Sequence, residues 1–359
     1  MELAGGKLKA GNALDLKANQ LSFSAQTSAA NTDIQVQQFT LDENGLIVSH
    51  NNTFFTASNA VLLGQLYSSA ANLNISGTLN SGNNTLVSVQ NLNTVNAKDL
   101  NLKGLWEAGN LTLTALNSLQ EAGAVYAQNN LLLNANAINL TGAVQAGAKL
   151  NANAVQQLTV DSQAKLFSSD SIELSADAIQ LDGYAGAENS MTAITANNLA
   201  TGSTARLETN GLLTLQSKNA DVDLQGKTYA QTQSISARKN INIAAGAAVT
   251  TVGNLNITAD TLNNTGAVNT QQLTKAQLKK LNNQGSLVSD KFDLSALDSV
   301  SNSGKLISNQ DLELNTAALK NTQGAILAGN KNLNLHINGT DFNNQGTVTA
   351  MCILLLDAA

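Results

Sequence analysis

His50 and His336 are the only two imidazoles in 359 residues, so any metal centre or histidine base would have to draw on them. They lie far apart in the chain and fall on different repeats, which reads as two solvated surface side chains. Serines are so frequent that a serine near either histidine would not single out a Ser–His–Asp relay. The calcium-binding pattern G-G-x-G-x-D is absent, and AGGKLKAG at residues 4–11 lacks the Ser or Thr that closes a phosphate loop. The residue types therefore assign no catalytic, metal-ligating or cofactor-binding group.

Binding is a better prospect than catalysis. Tyr126 and Tyr229 each fall three residues after a glycine (Gly123 and Gly226), where strand alternation turns a side chain outward. They are the candidate ligand-facing residues. Trp106 follows Gly104 by two and is expected inside. Lys275, Lys279 and Lys280 form a small basic cluster that reads as a solvated face rather than a polyanion site. The many Asn, Thr, Ser and Gln side chains suit either a glycan partner or plain solubility.

These residues must be held by a repeated element. Glycine recurs at 77, 104, 123, 142, 183, 202, 226, 246, 266, 285, 304, 324 and 346, most often at steps of 19 or 20, with Ser162 in the one missing place. A fixed step of this size marks a solenoid. Around it the apolar residues alternate by two, as in Leu111/Leu113, Leu131/Leu133, Leu312/Leu314 and Leu333/Leu335. Runs of four to six such residues suit short strands. Three strands and three corners per step predict an all-β, right-handed parallel β-helix of about 20 residues per coil.

The corner chemistry divides the chain. Residues 1–71 read as divergent coils with extra-helical elements, and 72–249 as coils in which an apolar strand runs into the glycine. Over 250–349, Asn264, Asn283, Asn302, Asn321 and Asn344 precede the glycine and predict a stacked asparagine ladder. Leu262, Leu281, Val300, Leu319 and Phe342 should point inward beside it. Residues 270–283 are a second irregular spot with helix-like spacing, where a short helix on one coil is the lesser alternative to a regular strand. Residues 350–359 are a tail or truncated coil, apolar enough to suggest end-to-end self-association.

Composition agrees with an ordered solenoid. Charged residues are 12%, apolar residues 43%, and the net charge is −6, which is not a disorder signature. Proline is absent, as suits backbone hydrogen-bonded along most of its length. Aromatics at 3% and an excess of acids argue against nucleic acid. Cys352 is the single cysteine, so no intrachain disulfide can form. No stretch is long and apolar enough for a membrane helix, and the first 20 residues lack a signal-peptide core.

The units NLNITADTLNNTG and DLELNTAALKNTQG approximate the pattern L-x-L-x-A-x-x-L-x-N-x-G, with Ile257 and Thr316 as substitutions and one extra residue before Gly324, and resemble the repeats of bacterial filamentous haemagglutinins and contact-dependent growth-inhibition exoproteins. The resemblance is closest over 250–349 and weakest over 1–71. It implies export through an outer-membrane two-partner-secretion transporter, by way of a region not in this sequence. It further implies a secreted or cell-surface location and a receptor of glycan or protein type on a host or bacterial cell. The function implied is adhesion or biofilm formation, with the passive stick of a toxin-delivery exoprotein as the alternative. The N-P-N-G and VENN motifs of those families are missing, as expected of an internal segment. A polysaccharide-active β-helix enzyme is the remote alternative, because no acids and bases gather at matching coil positions.

Overall fold

The computed structural model describes residues 1–358 and is a parallel β-solenoid of about 18 coils, roughly 20 residues each, with no helix among them. It divides into two units, Met1–Ala176 and Asp177–Ala359.

In the first unit one coil is seen in the strand Leu105–Glu121, which bends twice and supplies three short strand positions. The first covers 105–108, the second 110–115 and the third 118–121, each pairing in parallel with the coil before it. Inward side chains stack in register from coil to coil: Leu73, Val95, Leu113, Leu133, Ala152 and Leu174 form one such column. All six are nearly inaccessible, and burial of such columns is the main stabilising term of the unit. Trp106 lies inside as expected, fully buried, with Nε1 donating to Ser81 Oγ at 3.2 Å.

The same coil is present over the first 71 residues. Gln26–Leu41 and Leu46–Ala57 pair in parallel like the later strands, and Phe39 and Phe55 meet edge to face inside at 4.8 Å. The pattern is obscured there because hydroxyls sit at inward positions. Thr32, Ser49, Thr53 and Ser68 are linked in sequence at 2.7, 2.9 and 3.1 Å, which satisfies them within the core.

In the second unit, Leu262, Leu281, Val300, Leu319 and Phe342 stack in register at the third strand position, the first four buried as expected and Phe342 exposed. The irregular stretch 270–283 is not the alternative helix but part of the strand Ala267–Asn283. Ala276 and Leu278 point inward, Lys279 and Lys280 both lie outside at a corner, and Leu281 turns in again. The corner, not helical winding, produces the three-residue spacing.

The glycines play three parts rather than one. Gly123, Gly142, Gly285 and Gly304 stack directly on the glycine one coil earlier; a Cβ on Gly285 would lie 2.1 Å from the Gly266 carbonyl oxygen. Elsewhere the stacked place is taken by another small residue: Gly142 is followed by Ala164, not Ser162, and Gly183 by Ala205. Gly202, Gly246 and Gly324 belong to four-residue turns closed by Gly202–Ala205, Ala244–Ala247 and Thr322–Ala325 hydrogen bonds of 3.0–3.1 Å. Gly246 and Gly324 have φ of 87° and 82° at the third turn residue, where a type II turn requires a positive value. Gly77 lies at a different corner, donating to Ser58 O at 2.7 Å.

These turns explain the uneven step. From Phe23 onward, the corner leaving the third strand position holds either three or five residues between inward side chains, as in Leu102 to Trp106 and Leu41 to Ile47.

Candidate functional site

The predicted asparagine ladder is present. Asn264 Nδ2 donates to Asn283 Oδ1 at 2.8 Å, Asn283 to Asn302 at 2.8 Å, Asn302 to Asn321 at 2.9 Å and Asn321 to Asn344 at 2.8 Å. The first four are fully buried. Each of them also donates to a backbone carbonyl, as Asn302 does to Ile326 O at 2.9 Å. Asn344, the last rung, is exposed, whereas the other four lie inside and hold the coils together.

A second ladder lies half-buried one position earlier and runs in the opposite sense. Asn282 Nδ2 donates to Asn263 Oδ1, Asn263 to Asn242 and Asn242 to the carboxylate of Asp223, at 2.8, 2.8 and 2.6 Å. Similar coil-to-coil amide bonds join Asn96 to Asn74, Asn101 to Asn80 and Asn153 to Asn134 in the first unit. Much of the uncharged polar exterior is thus committed to holding neighbouring coils together.

In the first unit the third-strand corner carries one carboxylate at the place where the second unit carries asparagine. Glu121 stands in register between Leu102 and Leu140 and is 1% exposed. Gly123 N donates to its Oε1 at 2.7 Å and Gly142 N to its Oε2 at 3.1 Å. Burial pushes its pKa up to about 7, against the lowering effect of those two bonds.

Tyr126 is half-buried and stands in register between Glu107 and Gln145; Tyr229 is 45% exposed and stands between Glu208 and Thr250. Each faces outward on its own unit, and Glu208, beside Tyr229, is hydrogen-bonded to Tyr184. His50 is exposed and lies 3.3 Å from Ser28 Oγ, whereas His336 lies 3.8 Å from Asp357 in the second unit. Among the described residues no group of three or more His, Cys, Asp or Glu converges on one point. The lysine cluster is divided: Lys279 pairs with Asp260 at 2.8 Å and Lys275 with Asp293 at 3.8 Å.

A groove of about 440 Å³ lies in the first unit, where the second strand position turns into the third. One rim is the in-register series Thr56, Asn74 and Asn96. The other is formed on successive coils by Ser58, Ser76, Lys98 and Leu116, with Leu116 72% exposed. Between the rims lie the nearly buried Ala57, Ile75 and Ala97, and Val36 closes one end. Sequence reasoning missed this groove because its residues come from five coils. The available signal was a large aliphatic at an outward corner, found at Leu116 and again at Val155.

Comparison with models of known families, with curated proteins and with solved structures returns no match.

Proposed function

We propose that this chain is an adhesive segment of a secreted or surface-exposed bacterial protein of the filamentous-haemagglutinin type. The single observation that carries the reading is the unbroken asparagine ladder from Asn264 to Asn344, which runs along one corner of the five coils that bear the haemagglutinin-like repeats. A ladder of this kind invests sequence in an extended, regular support rather than in one reaction centre. The outer surface of amides and hydroxyls supports contact with a polar receptor over several coils. Export through an outer-membrane transporter belongs to the same reading.

The passive stick of a toxin-delivery exoprotein is the second reading, favoured by how many outward amides are consumed in coil-to-coil bonds. Polysaccharide cleavage is less well supported. A groove enzyme needs an acid and a base flanking the scissile bond, and the groove of the first unit has Lys98 and no lining carboxylate.

Adherence of beads coated with the chain to cultured epithelial cells and to bacterial lawns separates the two leading readings. Saturable adherence above that of beads coated with an unrelated β-solenoid is expected. Its absence on both surfaces at full coating density would remove the adhesive reading in favour of the stick.

A further inference from the structure

We propose that the groove at the second-to-third corner of the first unit binds an extended carboxylated oligosaccharide, a chain of uronate-type sugars. This deepens the adhesive reading by naming its ligand class.

The polar groups of the groove are of the right kind. Asn96 Nδ2 donates to Asn74 Oδ1 at 2.9 Å, and among the described residues no partner is bonded to the Asn74 amide nitrogen or the Asn96 amide oxygen. The rims thus offer a free donor and a free acceptor one coil apart, together with the hydroxyls of Ser58 and Ser76. Sugar hydroxyls both donate and accept, and so suit such mixed rims. The aliphatic strip of Ala57, Ile75 and Ala97, with Leu116 standing beyond it, suits the C–H faces of pyranose rings.

Charge selects among polyhydroxylated ligands. Lys98 makes no ion pair within 4 Å among the described residues, and no carboxylate lines the groove. Asp99, its neighbour in sequence, belongs to the third strand position, where Ser118 Oγ donates to it at 2.7 Å. An unpaired ammonium at the rim favours a carboxylate on the ligand.

Geometry favours a sugar chain over an acidic peptide. The main chain bordering the groove is already occupied: Ser58 N donates to Gln37 O at 2.9 Å, Ser76 N to Ala57 O at 3.0 Å and Lys98 N to Gly77 O at 2.8 Å. A peptide would find no free strand edge to pair with. The rim residues instead repeat once per coil, about 4.8 Å apart, close to the advance of one sugar along an extended chain.

Calorimetric titration of the full chain tests this with three probes: hexagalacturonate, its fully methyl-esterified form, and hexaglutamate. Hexagalacturonate is expected to bind saturably, and the ester and the peptide at least tenfold more weakly. Lys98→Gln should reduce the acid form to the level of the ester, and the double change Asn74→Ala, Asn96→Ala should weaken both sugars. No saturable uronate binding, uronate binding untouched by these exposed-site changes, or tighter binding of hexaglutamate would each overturn the proposal. Bead adherence of the same variants keeps the two inferences apart. Adherence undiminished in Lys98→Gln removes the groove and spares adhesion, whereas uronate binding without any adherence does the reverse.

Discussion

Glu121 and Gly142 meet across one coil step, the glycine N–H donating to a carboxylate oxygen at 3.1 Å inside a wall of leucine and glycine. The acid is neutral more readily here than in water, its pKa raised from 4.5 to about 7 by burial. A raised carboxyl pKa contributes stability that is complete below the unfolded value and is lost as pH rises through the folded one. The first unit should therefore weaken between about pH 5 and pH 8, by on the order of 3 kcal/mol at the upper end. Glu121→Gln should flatten that dependence in urea unfolding at a series of pH values. A slope that survives the change would mean that other groups cause it.

The two asparagine ladders should differ in weight. Asn302 is fully buried, donates to Asn321 Oδ1 and Ile326 O, and accepts from Asn283. Asn302→Ala strands those partners, at a cost of about 1–3 kcal/mol. Asn263 in the half-buried ladder has water as a substitute, so Asn263→Ala should cost less than about 1 kcal/mol. Unfolding midpoints of the two variants give the comparison; equal losses would contradict the assigned difference.

Much of this fold could be read from the chain. Alternation by two and the 19-residue step specify coil length and strand type, and the asparagines ahead of the glycines mark the column residue by residue. The register was less legible. Thr85, Ala164, Ala205, Ala247 and Ala325 take stacked places that glycine takes elsewhere, while Gly246 and Gly324 serve turns. A small side chain satisfies the stack and a positive φ satisfies the turn, so counting glycines mixes two requirements. The groove was invisible for another reason. Thr56, Asn74 and Asn96 become neighbours only through coil pairing, which no local pattern reports.

Those two requirements predict a ranking among glycine-to-alanine changes. Gly285→Ala drives a Cβ to 2.1 Å from the Gly266 carbonyl oxygen, so neighbouring backbone must move, and a loss on the order of 3 kcal/mol follows. Gly324→Ala meets nothing within 4 Å but must hold φ near +82°, a strain of about 1 kcal/mol. Gly11→Ala meets neither obstacle and should be neutral. Thermal unfolding of the three orders them, and a milder effect at Gly285 than at Gly324 would refute the close-stacking argument.

Asn93 offers a different test. It is fully buried between Ala71 and Leu111, and neither its amide oxygen nor its nitrogen has a partner among the described residues. An unpaired buried amide is destabilising, so an apolar residue of similar shape should be tolerated or better. Asn93→Leu is expected to leave the unfolding midpoint unchanged or raised. A loss above about 2 kcal/mol would show that the amide is engaged after all.

The two lengths of the glycine corner bear on how such a chain can drift. From Phe23 onward that corner holds three residues or five, never four. A gain or loss of two codons there converts one ready-made turn into the other, and every downstream side chain keeps its side of the wall. A single-codon change has no such turn to adopt and would exchange inside for outside. Indels at this corner should accordingly be accepted in pairs, which makes it the natural point for grafting foreign loops onto the scaffold.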